Sequence, residues 1–294
     1  MSQLDRQTEL ARPLSTGPAR LALSRLVRKR AAMAALAVVV LLALAGVLAP
    51  VVAPYDPLLM STESSFSPPG AQHLFGTDLF GRDILSRTVY GARVSLAVAF
   101  AAVAMACIIG VTLGLVAGYY GGPLEFVIMR AMDMLLAFPG VFLALIIVAL
   151  LGTGITNAVL AVGISAIPTY TRTVRGCVVA SKGYLYVDAA RVVGCRDRQI
   201  MVRHILPNVI APVIVLATLG VAWAILNICS LSFLGLGAQP PTPEWGTMLF
   251  EGRGWLRQAW WATTFPGLAI MVTVLAVNRL GDGIRDAMDP RLKV

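Results

Sequence analysis

Few side chains in this sequence are of a type and spacing that could do covalent or metal chemistry. His73 and His204 have no second ligand near them along the chain, so a histidine metal site is not expected. Cys107, Cys177, Cys195 and Cys229 form no CxxC pair and read as small hydrophobes, not as a redox motif or a disulfide framework. No HExxH, GxSxG or GxxxxGK[ST] occurs, and Lys29, Lys182 and Lys293 each lack the glycine that precedes a phosphate-binding lysine. The chain therefore does not read as an enzyme. If it moves a solute uphill, the energy enters through another polypeptide.

One stretch does carry a functional pattern: YVDAARVVGCRDRQIMVRHILPN, residues 186–208. On a helix, Tyr186, Ala189, Ala190 and Val193 share one apolar, mostly small face. Asp188 and Arg191 fall on another face, where they can pair, and an acid near a helix start suits the dipole. Gly194 is placed to take a left-handed backbone and end that helix. Asp197 can cap a second helix with Ile200, Met201, His204 and Ile205 along one side, and Pro207 marks the turn into the next apolar run. The expectation is two short helices at an angle. A basic loop lying on anionic headgroups would explain the charge, but not the small face, which suits close protein docking.

The elements that must position this stretch are built for lipid. Of 294 residues, 57% are hydrophobic and 13% charged, where a soluble domain carries about 25% charged residues. Six apolar segments approach the roughly 20 residues that span a bilayer: 31–53, 94–117, 127–151, 154–171, 209–237 and 262–280. The first is too long, and lacks a cleavage site, for a removable signal peptide. The net charge of +9 follows membrane topology and does not suggest nucleic-acid binding. Lys and Arg number seven in the first 30 residues, seven in 172–208 and four in the C-terminal tail, against four in 54–91 and 238–261 together. By the positive-inside rule both termini and the 186–208 stretch are cytoplasmic. The layout is a basic tail (1–30), a first span (31–53), an extracytoplasmic segment (54–91), a five-helix core (92–281) with a loop at 176–207, and a C-terminal tail (282–294).

Within the spans, Ala106, Gly110, Gly114, Gly118 and Gly122 recur every fourth residue and make one small face. That face serves either packing inside the chain or an interface with a partner subunit. Pro139 and Pro168 are expected to bend or loosen their helices. Arg130 and Asp133 are spaced to pair. Asn157, Ser165, Asn227 and Ser230 are candidates for lining a pathway, although such groups more often bond back to their own helix. No isolated charge sits at midplane depth, which argues against a secondary carrier or an ATP-independent channel.

The 186–208 stretch resembles the coupling motif of bacterial binding-protein-dependent ABC importer permeases, a Glu-Ala-Ala followed by Gly and an apolar-Leu-Pro. Here it reads Asp188-Ala189-Ala190, Gly194 and Ile205-Leu206-Pro207, with Asp in place of the usual Glu. HLFGTDLFGRDILSRTVYGARVSL (73–96), MDMLLAFPG (132–140), LSFLGLGAQPPTPEWG (231–246), WWATTFPGLAI (260–270) and NRLGDGIRDAMDPRL (278–292) are similar to blocks of the dipeptide/oligopeptide/nickel permeases, specifically the C-type subunit. The resemblance implies an all-α membrane protein with six transmembrane helices, a type I importer permease fold and cytoplasmic coupling helices, in a bacterial inner membrane. It implies a B-type permease partner, two P-loop ATPases holding ATP and Mg, and an extracytoplasmic solute-binding protein, with no cofactor on this chain. By the same resemblance Asp188, Ala189, Ala190, Gly194, His204, Leu206 and Pro207 couple to the ATPases. Peptides are the expected cargo, with nickel as the rival.

Overall fold

At lipid depth a backbone N–H or C=O finds no water, so apolar runs close their hydrogen bonds within helices. The computed structural model describes residues 24–288; positions 1–23 of the expected basic tail and 289–294 of the C-terminal tail lie outside the described residues. The main helices are α1 (Arg30–Val47), α2 (Ile84–Tyr120), α3 (Gly122–Leu136), α4 (Gly140–Leu151), α5 (Ile155–Lys182), α6 (Leu185–Val192), α7 (Leu206–Phe233), α8 (Trp245–Gly252) and α9 (Trp261–Met288). Among the described residues the only β pairing is an isolated bridge between Thr77 and Asp83.

The expectation of six spans is met approximately. Four described helical stretches are long and apolar enough to cross a membrane: α1, α2, the run Asp197–Phe233 that ends in α7, and α9. The predicted third span is broken into α3 and α4, which meet at 89°. Pro139 causes the break: it occupies the N-cap of α4 and has no N–H with which to continue the α3 ladder. The predicted fourth span lies in α5, a 28-residue helix that is long enough but carries Asn157, Ser165, Thr169, Thr171 and Arg172. It packs against α2, α3, α4 and α7, and a helix enclosed by others does not need a lipid-like surface. Pro168 stays inside α5 without ending it.

The second span begins ten residues earlier than the hydropathy suggests, where Asp83 accepts a hydrogen bond from the Ser86 N–H and caps α2. With 37 residues, α2 is about 55 Å long at 1.5 Å per residue, so both ends project beyond a hydrocarbon layer of about 30 Å. Its small face is a seam within the chain. A β-carbon at Gly110 would come within 2.5 Å of Tyr170 Cβ, one at Gly114 within 2.7 Å of the Thr171 carbonyl oxygen, and one at Gly118 within 2.7 Å of Val178 Cβ. All three contacts are to α5, and Gly122 lies past the end of the seam. Gly114→Leu is expected to destabilise the bundle by about 1–3 kcal/mol through overpacking, measured as a lowered thermal midpoint in detergent. Gly176→Ala, on α5 but with open space around it, should leave the midpoint in place.

Candidate functional site

The chain presents two polar ends. At the basic end, α6 sits on an apolar cluster that includes Leu115 of α2, Val174 and Val178 of α5, and Val209 of α7. Its inward pair is Val187 and Ala190. The face expected from spacing is therefore corrected: of Tyr186, Ala189, Ala190 and Val193, only Ala190 is buried. Val187 offers more apolar surface than Ala189, and the helix turns that side into the cluster, against residues 200–205. The outward face carries Leu185 and Val192, 87% and 88% exposed, with Val193 and Ala189 beside them. Asp188 is also exposed and pairs with Arg191 at 3.2 Å.

Gly194 ends α6 with φ +86. Its N–H donates to the Arg191 carbonyl (2.9 Å) and the Cys195 N–H to the Ala190 carbonyl (3.0 Å), which together make a Schellman closure. The second half differs from expectation. Asp197 is the first residue of its short helix, not the cap, and that helix runs through a π-helical turn, Ile200–Ile205, directly into α7. Pro207 lies in the exposed first turn of α7. A proline crowds the carbonyl four residues before it, and the wider π turn at 200–205 makes room. His204 and Leu206 are half-buried within this continuous segment. The element is one short helix, a glycine corner, and the projecting end of a long helix.

Two residues hold the halves in place and were not singled out from spacing. Asn208 Nδ2 donates to the Tyr186 hydroxyl (2.7 Å) and to the His204 carbonyl (3.1 Å), joining α6 to α7. Tyr119, at the end of α2, donates its hydroxyl to Asp197 (2.6 Å). The signals for them in the sequence are slight: an Asn directly after the Leu-Pro, and a Tyr-Tyr pair before Gly121.

Between α2, α5 and α7, and beneath the α3–α4 bend, lies a cavity of about 370 Å³. Its wall is mostly apolar and includes Ser165, Thr169, Tyr170 and Trp223. Ser165 turns its hydroxyl to the Val162 carbonyl (2.8 Å). The other three pathway candidates do not line this cavity. Asn157 donates to the carbonyls of Leu151 and Gly152 and so caps α4. Asn227 bonds the Trp223 carbonyl and Ser230 the Leu226 carbonyl, each four residues back on α7. The expected Arg130–Asp133 pair does not form. Asp133 pairs with Arg172 and Glu125 with Arg175 across α3 and α5, while the Arg130 guanidinium lies over the Phe126 ring.

At the opposite end, charges counted above only for topology form a buried network. Arg82 bonds Asp78 (2.6 Å) and Glu251 (2.9 Å), and Arg87 bonds Glu251 (2.7 Å). Glu244 is fully buried at the start of α8, where it accepts from the N–H groups of Gly246 and Thr247 and from the Ser95 and Thr247 hydroxyls. Trp245 donates to the Thr88 carbonyl and Trp261 to the Thr77 carbonyl. This network ties residues 54–91 to α8 and α9. Beside the network His73 bonds Asp83 (2.9 Å), the cap of α2; among the described residues no group of three or more His, Cys, Asp or Glu is placed to hold a metal ion.

Apolar helices around a cavity, with an exposed helical corner at one end and a buried ion network at the other, define a multi-pass membrane protein of the transport-permease class. Residues 110–294 match the family model of the binding-protein-dependent transport system inner membrane component, and residues 17–69 match the N-terminal TM domain of oligopeptide transport permease C. The chain belongs to the binding-protein-dependent transport system inner membrane component family, and within it to the C-type permeases of the dipeptide/oligopeptide/nickel group. It is 43% identical over 272 residues to a dipeptide transport system permease protein of Haemophilus influenzae, covering 90% of this chain and 92% of the relative. It is 46% identical over 267 residues to a glutathione transport system permease protein of Escherichia coli, covering 90% and 88%. A chain of the inward-facing MetNI methionine ABC transporter superimposes with a TM-score of 0.58 at 17% identity, covering 70% of this chain and 98% of that one, which supports the fold alone. The protein is thus a multi-pass inner-membrane permease subunit of an ABC importer. It works with the ATPase and permease components of that importer and is not itself an enzyme.

The ion network makes a stability prediction. Glu251→Ala leaves Arg82 and Arg87 sharing the single carboxylate of Asp78. A loss of about 3–5 kcal/mol is expected, the scale for an uncompensated buried charge, read as a fall in the thermal midpoint of the detergent-solubilised chain.

Proposed function

We propose that this chain forms one half of the translocation pathway of a peptide importer and receives force from its ATPases through residues 184–207. The observation that carries the proposal is the exposed corner at the basic end. Leu185, Ala189, Val192 and Val193 lie uncovered beside the Asp188–Arg191 pair, while Val187, Ala190, Ile200 and Ile205 anchor the same segment to the bundle. A rigid element that is apolar and small outside, and firmly seated inside, suits docking into a groove on an ATPase subunit. Lys29, Lys182, Arg191 and Arg196 share this end, which supports a cytoplasmic placement for it and for both termini.

In this reading Asp188 offers its carboxylate to a basic ATPase residue, Ala189 and Ala190 allow close approach, and Gly194 sets the corner. His204, Leu206 and Pro207 pass displacement into α7, which walls the cavity. Two ATPases supply ATP and Mg, a B-type permease completes the pathway, and a solute-binding protein docks at the ion-network end. Ser165 and Thr169 are the hydroxyls best placed along the pathway. The dipeptide and glutathione permeases among the relatives support short peptides as cargo.

Two measurements test this. In the reconstituted complex, Gly194→Asp forces a side chain into a left-handed backbone, and Asp188→Arg places like charges across the contact, a mismatch of several kcal/mol. Stimulation of ATP turnover by loaded binding protein should fall by about tenfold or more in each, and retention of stimulation in both would remove the docking role. A strain lacking this chain should lose uptake of labelled di- and tripeptides. Loss of nickel uptake with peptide uptake intact would overturn the cargo assignment.

A further inference from the structure

Tyr119 gathers contacts from three elements at the basic end. The residue is 5% exposed and closes the last turn of α2. Its hydroxyl donates to Asp197 Oδ1 at 2.6 Å, at the start of the segment that becomes α7. Its carbonyl accepts from Lys182 Nζ at 2.6 Å, at the end of α5. Its ring lies under the Arg191 guanidinium of α6, 5.8 Å from the centroid, and 5.9 Å from the Lys182 ammonium. One side chain thus meets both halves of the exposed corner and the helix that leads into it. A tyrosine suits the place because one rigid group supplies a ring face for cations and a hydroxyl for a carboxylate.

At its other end α2 begins inside the ion network, with Asp83 as its cap and Arg87 bonded to Glu251. Between these ends it is locked to α5 by the glycine seam. We infer that Tyr119 is a positioning residue that fixes the corner at 184–207 to the cytoplasmic end of α2, so that movement at the ion-network end reaches the corner through one stiff helix. This rests on the coupling role proposed above. It adds that the corner does not swing with α7 alone; its orientation is set by α2 through the Tyr119–Asp197 bond. Asp197 and Arg191 act through Tyr119 in this arrangement and need not touch an ATPase.

The test uses the whole reconstituted importer. Tyr119→Phe keeps the ring and removes only the hydroxyl. The ratio of stimulated to basal ATP turnover should fall roughly tenfold, the scale of one hydrogen bond to a charged group, with the ATPase subunits still co-purifying. Asp197→Ala should fall to the same degree. Asp197→Asn, which retains an acceptor oxygen, should recover most of the ratio. The double variant Tyr119→Phe/Asp197→Ala should be no worse than either single one, as expected for two halves of one interaction. An unchanged ratio in Tyr119→Phe, strictly additive losses, or loss of ATPase co-purification would each overturn the inference, the last by reducing Tyr119 to a support of local folding. Gly194→Asp serves as the parallel control. If it abolishes stimulation while Tyr119→Phe does not, the positioning role fails and the coupling role stands. If neither has an effect, the coupling role fails first.

Discussion

The close approach of α2 and α5 is the constraint on which the other features depend. Glycine at 110, 114 and 118 removes the side chains that would hold the helices apart, and backbone and β-carbon atoms of α5 fill the space. In lipid, where apolar surface gains little from leaving its surroundings, such close packing is the main source of helix–helix attraction. The seam makes α2 and α5 a two-helix spine. The cavity, the α3–α4 bend and the end of α7 are all arranged against it.

Polar groups then concentrate at the two ends of that spine, where the physics differs. In the ion network the charges are buried or half-buried, and each has partners: Asp78, Arg82, Arg87 and Glu251 bond one another, and Glu244 takes five donors, the Cys229 thiol among them. Burial without these partners would be strongly unfavourable, so the cluster specifies a single arrangement of the loops around it. At the basic end the charges of the corner are exposed, and Leu185 and Val192 on the outer face of α6 are left uncovered. One end is tied together by paired charges within the chain; the other presents an uncovered apolar helix face.

The glycine corner and the proline at position 207 have separate parts in shaping that surface. Gly194 closes α6 with a left-handed residue, and Cys195 and Arg196 then lead away at a new angle. Pro207 does not turn the chain; the π-helical turn before it absorbs the misfit and lets the helix run on into α7. The corner is therefore continuous with the helix that walls the cavity, a direct mechanical path between surface and pathway.

Much of this was legible along the chain. Membrane class, the apolar runs, the bend at Pro139 and the helix end at Gly194 follow from local composition and backbone stereochemistry, which act within a few residues. The blocks that resemble importer permeases could be read for the same reason, since they are contiguous. Other features depend on partners far apart in sequence. Arg82 and Arg87 meet Glu251 across 169 and 164 positions, and Tyr119 meets Asp197 across 78. No period or motif joins such pairs. Helical spacing put Ala189 and Val193 on the same face as Ala190, but packing against the Ile200–Ile205 turn chose Val187 as its buried companion, because burial depends on which surface the neighbour offers. By itself the sequence determined what kind of protein this is and where its helices and corner lie. Only the tertiary structure decided which face is left open and which residue holds it, because those are matters of contact between elements.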